Sequence, residues 1–211
     1  MDLAVVSDFD GTLVEIDTVD HIMERFAQGD WRYWDDLYNR REISIQECLS
    51  HQFPMVKIPR ERIIKELDEV AFPRSHFQDL IGYLGSSGSR LTVASAGFDF
   101  YIDHFLESRG LDEVEYLAPR TIFTGDGLDI EFPTIRPGFT NHKDELVGRL
   151  RSEGKTVAYL GNGTSDLEAT RLSDIPLVVR GSTLARLCRE EGVDHHTFDD
   201  FIDVIGILSG I

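Results

Sequence analysis

Two hydrophobic periods alternate along this chain, and the switch between them divides it. Leu3-Ala4-Val5-Val6 is an unbroken apolar run that stops at Asp8-Phe9-Asp10-Gly11-Thr12, the pattern of a buried strand entering a tight turn. Apolar positions then fall at helical spacing. Val19, Ile22, Met23 and Phe26 follow a possible cap at Asp17-Thr18, and Trp31, Trp34, Leu37 and Tyr38 follow the break at Gly29-Asp30. Ser44-Ile45-Gln46-Glu47 has the form of a capping box, and Pro59 precedes Ile63, Ile64, Leu67 and Val70. Residues 15–73 thus predict four helices and no strand.

From Pro73 the periods alternate. Phe77, Leu80, Ile81 and Leu84 predict a helix, Leu91-Thr92-Val93-Ala94-Ser95 a short buried strand, and Tyr101, Ile102, Phe105 and Leu106 another helix. A strand follows near Tyr116-Leu117-Ala118, and the runs flanking Gly125-Asp126-Gly127 predict a hairpin. A helix from Lys143 to Leu150, a strand over Thr156–Leu160, a helix from Ser165 to Leu172, a strand over Pro176–Val179 and two closing helical segments complete the pattern. Alternation of this kind predicts a doubly wound α/β core with a parallel sheet, built from residues 1–15 and 74–211, carrying an inserted helical bundle over residues 16–73.

Composition narrows the function. The 211 residues carry a formal net charge of −17, which argues against nucleic acid or an anionic membrane surface as partner. An anionic substrate then needs local cations or a bound metal. No apolar run is long enough to span a bilayer, and Met1-Asp2 opens the chain without a basic leader, so a cytoplasmic protein is expected. Cys48 and Cys188 are expected to be reduced, buried and inert.

Four strand ends carry residues suited to chemistry. Asp8 and Asp10 place two carboxylates at the mouth of the sheet, where ligands bind in open α/β folds. Repulsion between them favours a cation, and one can attack an electrophile while the other moves protons. The alternative is a solvated strand-to-helix turn. Ser95, with the backbone of Ala96 and Gly97, makes an anion site or else caps the next helix. Lys143 lies near a helix start, where it opposes the helix dipole, and suits a phosphate unless it is an ordinary surface lysine. Gly161-Asn162-Gly163-Thr164-Ser165-Asp166 offers oxygen donors for a hard cation such as Mg²⁺, or is a plain loop.

In this order the segments resemble the motifs of the haloacid dehalogenase superfamily. Asp8-Phe9-Asp10-Gly11-Thr12 resembles the first motif, Ser95 the second, Lys143 the third and Gly161 to Asp166 the fourth. The helical insert after the first motif resembles the cap of the subgroup containing phosphoserine phosphatase and the methionine-salvage phosphatases. Arg40-Arg41-Glu42-Ile43-Ser44, Ala94 to Phe100 and Leu187 to Gly192 are most similar to the branch acting on 2-hydroxy-3-keto-5-methylthiopentenyl-1-phosphate.

The resemblance implies an Mg²⁺-dependent phosphatase of a small phosphorylated metabolite, monomeric or homodimeric. Asp8 would form an aspartyl-phosphate and Asp10 would serve as acid and base. Thr12, Ser95, Ala96, Gly97 and Lys143 would hold the phosphoryl group, with Asp17 beside the rest of the substrate. Asp8, Asp10, Asn162 and Asp166 would hold the metal. Asn162 stands where the family has aspartate, which predicts weaker metal affinity. Gln52 stands where phosphoserine phosphatases have a cap arginine, which argues against phosphoserine.

The remaining polar and aromatic clusters carry plainer expectations. Trp31, Tyr33, Trp34, Tyr38 and Phe53 are expected in the core of the bundle, and Arg40 and Arg41 on a solvated face. His195-His196 are expected in a surface loop, and Asp199, Asp200 and Asp203 in the first turns of a terminal helix.

Overall fold

The computed structural model describes residues 2–210. Strand β1 (Leu3–Ser7) runs into an irregular turn over Phe9–Leu13, closed by the Val14 N–H donating to the Phe9 carbonyl at 3.0 Å. Four helices follow: α1 (Thr18–Phe26), α2 (Trp31–Asn39), α3 (Ile45–Gln52) and α4 (Arg60–Asp68), with a short 3-10 turn at Phe53–Met55. The two crossings between this helical layer and the sheet lie side by side, Val14 bridging Pro73.

The capping signals form as the sequence implies. Asp17 Oδ1 accepts from Asp20 N at 2.9 Å, and Ser44 and Glu47 close a reciprocal capping box.

The rest is α5 (Phe77–Ser87), β2 (Arg90–Ala94), α6 (Asp99–Glu107), β3 (Glu115–Leu117), the hairpin β4 (Arg120–Thr124) and β5 (Gly127–Glu131), and α7 (His142–Ser152). Then come β6 (Thr156–Gly161), a 3-10 turn at Thr164–Asp166, α8 (Leu167–Leu172), β7 (Ile175–Val179), α9 (Thr183–Glu191), β8 (His196–Phe198) and α10 (Phe201–Ser209).

The six-stranded sheet is parallel throughout, in the order β3-β2-β1-β6-β7-β8. Chain order runs outward in opposite directions from β1 and β6, so the crevice at their C-terminal ends is the switch point of a doubly wound sheet.

Two features differ from the sequence reading. His196 opens the edge strand β8 rather than lying in a loop; three residues are too short a run to show a period. The hairpin packs on the helical layer, with Leu128 N donating to Val56 O at 3.1 Å. Such long-range docking leaves no local pattern.

The core beneath the first turn is aromatic. Phe9 packs edge-on to Phe105 at 5.2 Å and to Tyr101 at 6.2 Å. Burying Phe9 to 1% exposure contributes about 2–3 kcal/mol and fixes the backbone that carries Asp8 and Asp10. No helix among the described residues is long and apolar enough to cross a membrane.

Candidate active site

Each polar side chain of the crevice is set by the element below it. At the end of β1 the Asp8 N–H donates to Leu160 O at 2.9 Å, so Asp8 stays in register with β6 although the strand has ended. Gly11 then takes a left-handed φ of +67°, and a β-carbon there would stand 2.1 Å from Asn162 Nδ2. Only glycine lets the turn close against the β6 loop. Arg74, on the return from the helical layer, holds this turn from behind. Its guanidinium donates to Gly11 O at 2.7 Å, Thr12 O at 2.9 Å and Asp199 O at 3.0 Å.

Lys143 is the centre of the arrangement. It lies in the first turn of α7, whose N-cap Asn141 accepts from Lys143 N at 2.8 Å. The side chain is 2% exposed, and its Nζ reaches Asp166 Oδ1 at 2.7 Å, Asp8 Oδ1 at 2.8 Å and Ser165 Oγ at 3.2 Å. A lysine in the first turn of a helix is electrostatically misplaced unless anions compensate, and two do. Burial alone would lower its pKa, but Asp166 and Asp8 outweigh burial and hold it well above the ordinary lysine range.

Asp166 is wholly buried and fully committed. Oδ1 accepts from Lys143 and from the Tyr159 hydroxyl at 2.7 Å, and Oδ2 accepts from Asn162 N at 3.0 Å and Gly163 N at 2.8 Å. Burial pushes this carboxyl up, but Lys143 and the donors more than reverse that and hold it below the usual range. The expectation that Asp166 faces a metal is therefore corrected: with four donors on two oxygens, it anchors Lys143.

Asp8 stands differently. Burial first, then the charge of Asp166, raise its pKa well above the usual carboxylate range despite Lys143. Oδ1 accepts from Phe9 N at 2.8 Å and faces Lys143, while Oδ2 has no donor among the described residues. Lys143 thus offers one positive charge to two buried carboxylates, which is why Asp8 holds its negative charge less readily than Asp166. A carboxylate oxygen of Asp8 without a donor and the carbonyl Oδ1 of Asn162, on residues that line one cavity, fit a hard cation with oxygen ligands. Thr12 Oγ1 donates to that Oδ1 at 3.0 Å, which orients Asn162 rather than leaving the Thr12 hydroxyl free.

Asp10 and Ser95 form the second half. Asp10 Oδ1 accepts from Thr18 N at 2.8 Å and Thr18 Oγ1 at 2.5 Å, and Ser95 Oγ donates to Asp10 Oδ2 at 3.3 Å. Burial and the nearby charge of Asp17 push the Asp10 pKa up to about 7. Ser95 does not cap α6, which has no side-chain cap. Instead its Oγ accepts from Gly97 N at 2.9 Å. A β-carbon at Gly97 would stand 2.4 Å from Asp10 Oδ2, so this small-residue loop is a requirement of packing. His142 donates from Nε2 to Ser95 O at 2.7 Å. Burial and Lys143 lower its pKa to about 4, so it is a neutral tie between α7 and the Ser95 loop.

Asp8, Asp10, Ser95, Gly97, Lys143 and Asn162 line one cavity of about 360 Å³, roofed by the helical layer. Asp17, Asp20, Asp35, Tyr38 and Gln52 face it from that side. Burial raises Asp17 to about 7 and Asp20 to about 6, with neighbouring carboxylates adding to it. Both are substantially open to the cleft, so water screens part of this effect.

The aromatic cluster divides: Trp31 and Phe53 are core, Tyr33 is 52% exposed, Trp34 stacks on His51 at 3.6 Å, and Tyr38 faces the cavity. Arg41 is not free; it pairs with Glu191 at 2.7 Å. Both cysteines are buried and unpaired. Nothing local to Arg74, Tyr159 or His142 marks a partner 62, 7 or 47 positions away, so no sequence pattern points to them.

Comparisons with known proteins agree with this geometry. The family model for haloacid dehalogenase-like hydrolases matches residues 5–171. The chain is 26% identical to a 2-hydroxy-3-keto-5-methylthiopentenyl-1-phosphate phosphatase of an Exiguobacterium species, over 100% of this chain and 99% of that one. It is 28% identical to the protein of that name from Bacillus mycoides, over 99% and 96%. It is also 29% identical to the bifunctional enzyme MtnB/MtnX of Bacillus licheniformis, where it covers 97% of itself but 48% of the relative, about half its length. Among solved structures, a phospho-aspartyl intermediate analogue of phosphoserine phosphatase superposes with a TM-score of 0.76 at 20% identity, covering 98% of both chains. The match to the family model spans well over half of the sequence, the parallel fold agrees with it, and the relatives are phosphatases: the chain belongs to the haloacid dehalogenase-like hydrolases and is a phosphoric monoester hydrolase.

Proposed function

We propose that this enzyme hydrolyses a small phosphate monoester in two steps through an aspartyl-phosphate on Asp8. The observation that carries the proposal is the buried Asp8–Lys143–Asp166 centre with Asp10 beside it. A carboxylate oxygen is free to react, its neighbour is neutralised by a lysine, and a second acid stands within reach of a leaving group. In the first step an Asp8 carboxylate oxygen bonds to phosphorus while the ester bond breaks, and Asp10 gives its proton to the departing alkoxide. In the second, Asp10 takes a proton from water, the water oxygen bonds to phosphorus, and the Asp8–phosphorus bond breaks, restoring the carboxylate. Lys143, Ser95 and the backbone N–H of Ala96 would hold the phosphoryl oxygens, with Gly97, whose N–H donates to Ser95 Oγ, keeping that loop close. Asp8, the Asp10 carbonyl and Asn162 would hold Mg²⁺, which neutralises charge so that carboxylate and phosphate can approach. Residues 16–73 would act as the cap that excludes water from the first step.

The methionine-salvage keto-phosphate is the first substrate to test. Relatives of that name match across 99–100% of the chain, and among the described residues no arginine lines the cleft to meet the carboxylate of phosphoserine. Gln52 is 2% exposed and donates to Trp31 O at 3.2 Å, and the acids Asp17, Asp20 and Asp35 face the same space.

The test is Mg²⁺-dependent phosphate release from an aryl phosphate and a panel of keto, sugar and amino-acid phosphates, with Asp8→Asn as blank. Turnover that needs both Mg²⁺ and Asp8 is the expected result. Release no faster than the blank on any substrate would leave a phosphate-binding protein with a weakened metal site at Asn162.

A further inference from the structure

The helical layer turns several side chains into the cavity, and one of them, Tyr38, has no part in the two-step chemistry above. Tyr38 lies in the last turn of α2. The other aromatic side chains of that helix are buried against the layer, stacked on His51 or exposed. Tyr38 instead lines the cavity with Asp8, Lys143 and Ser165, its hydroxyl facing Ser165 and lying within the electrostatic reach of Lys143, Asp166 and Asp8. Burial dominates there and keeps the phenol protonated far above neutral pH, so it is a standing hydrogen-bond donor.

The backbone after Tyr38 is held to the core. Arg41 takes a left-handed φ of 59°, uncommon for a residue with a side chain, and Glu42 N donates back to Leu37 O at 2.9 Å. From that turn the Arg41 guanidinium reaches Glu191 at the end of α9 at 2.7 Å, and Glu191 also pairs with Arg171 of α8. A pair between the helical layer and the α9 side of the sheet thus closes three residues beyond the tyrosine.

Charge explains why the donor is neutral. A phosphate monoester entering this cleft meets Asp8, Asp10, Asp17, Asp20 and Asp35, and Lys143 is the one buried cation lining it among the described residues. Lys143 is already shared between two carboxylates. A phenol adds a donor to the phosphoryl group without the cost of burying a further ion.

We propose that Tyr38 is a catalytic residue, its hydroxyl donating to a non-bridging phosphoryl oxygen on the Lys143 side, and that Arg41 is a positioning residue that holds Tyr38 there through Glu191. The proposal rests on the phosphatase reading and names the group by which the helical layer takes part in it.

The test uses the full chain with Mg²⁺ and an aryl phosphate, and measures competitive inhibition by inorganic phosphate, direct phosphate binding by calorimetry, and thermal melting. Tyr38→Phe keeps the ring and removes the donor. It is expected to lower kcat/KM by about 10- to 100-fold and to weaken phosphate binding in the same direction, with the melting temperature unchanged. Arg41→Ala is expected to lower kcat/KM about threefold at low salt, less at high salt, and not further when Tyr38 is already phenylalanine.

A Tyr38→Phe enzyme within twofold of wild type in both turnover and phosphate binding overturns the proposal, as does one that only melts earlier. Additive losses in the double variant overturn the role of Arg41. If the wild type binds phosphate without turning over and Tyr38→Phe binds it less, the phosphatase reading fails and the hydrogen bond stands. A wild type that neither turns over nor binds phosphate ends both.

Discussion

Replacing Lys143 by methionine removes the only charge that separates Asp8 from Asp166, and the structure fixes what should follow in metal-free buffer. The two carboxylates are 5% and 0% exposed, so water cannot take the place of the ammonium. Removing one partner of a buried ion pair costs about 3–5 kcal/mol, because it strands a charge. Asp166 retains three donors, from Tyr159, Asn162 and Gly163. The stranded charge is therefore that of Asp8, which escapes by taking up a proton.

The sign follows from linkage. The folded pKa of Asp8 is already raised in the wild type and rises further without Lys143. A carboxylate with a raised folded pKa contributes stability that is whole below its unfolded pKa and is lost as pH climbs through the folded one. Wild type stops losing this contribution at its own Asp8 pKa, whereas the variant goes on losing it. The stability gap should therefore widen above that pKa, by at most about 1.4 kcal/mol per pH unit. Urea denaturation of both proteins with EDTA, from pH 5 to pH 9, measures the gap, and phosphate release with Mg²⁺ should be lost in the variant. A gap under about 1 kcal/mol at every pH, or one that narrows as pH rises, would refute the reasoning that Lys143 is a buried counter-ion.

Two other substitutions probe the rim of the same site. Asn162→Asp adds a carboxylate to the cavity that Asp8 lines and keeps an acceptor for the Thr12 hydroxyl, and is expected to tighten Mg²⁺ by about 10-fold in calorimetry; equal affinity would count against a metal position next to residue 162. Asp17→Asn keeps the cap on α1 but removes a carboxyl raised to about 7. Because the raised group disfavours the folded state only once pH exceeds its unfolded value, the variant should gain stability at pH 8 and none at pH 4. Exposure to the cleft holds the gain to about 0.5 kcal/mol, readable as a small rise in melting temperature at pH 8 alone.

Much of the site was legible because its residues sit where local pattern breaks. Asp8, Ser95 and Asn162 each end or follow an apolar run that becomes β1, β2 or β6, and parallel pairing brings those ends together. Lys143 stood out because a lysine in a first helical turn is unfavourable without anions nearby. An acid on a glycine-rich loop looks alike in sequence whether it faces a cation or a lysine, so the sequence points Asp166 at a metal. Only the donors converging on it from β6 and α7 decide between the two. Ser95 likewise offers a helix cap or an anion site in sequence, and only the meeting of the β2 end with Asp10 turns its hydroxyl away from the α6 cap.

The sequence by itself determined the alternation that makes a doubly wound sheet, the helical run between its first two strands, and the chemical types available at the strand ends. These are properties of period and of local hydrogen bonding, written within a few residues of where they act. The tertiary structure alone decided what required residues far apart in the chain to meet. It committed both oxygens of Asp166 to donors and left Oδ2 of Asp8 without one among the described residues, docked the β4–β5 hairpin on the helical layer, anchored Arg74 behind the first turn and brought Tyr38 into the cavity that Lys143 lines. Contacts of that kind are set by packing across layers, and packing has no period to read.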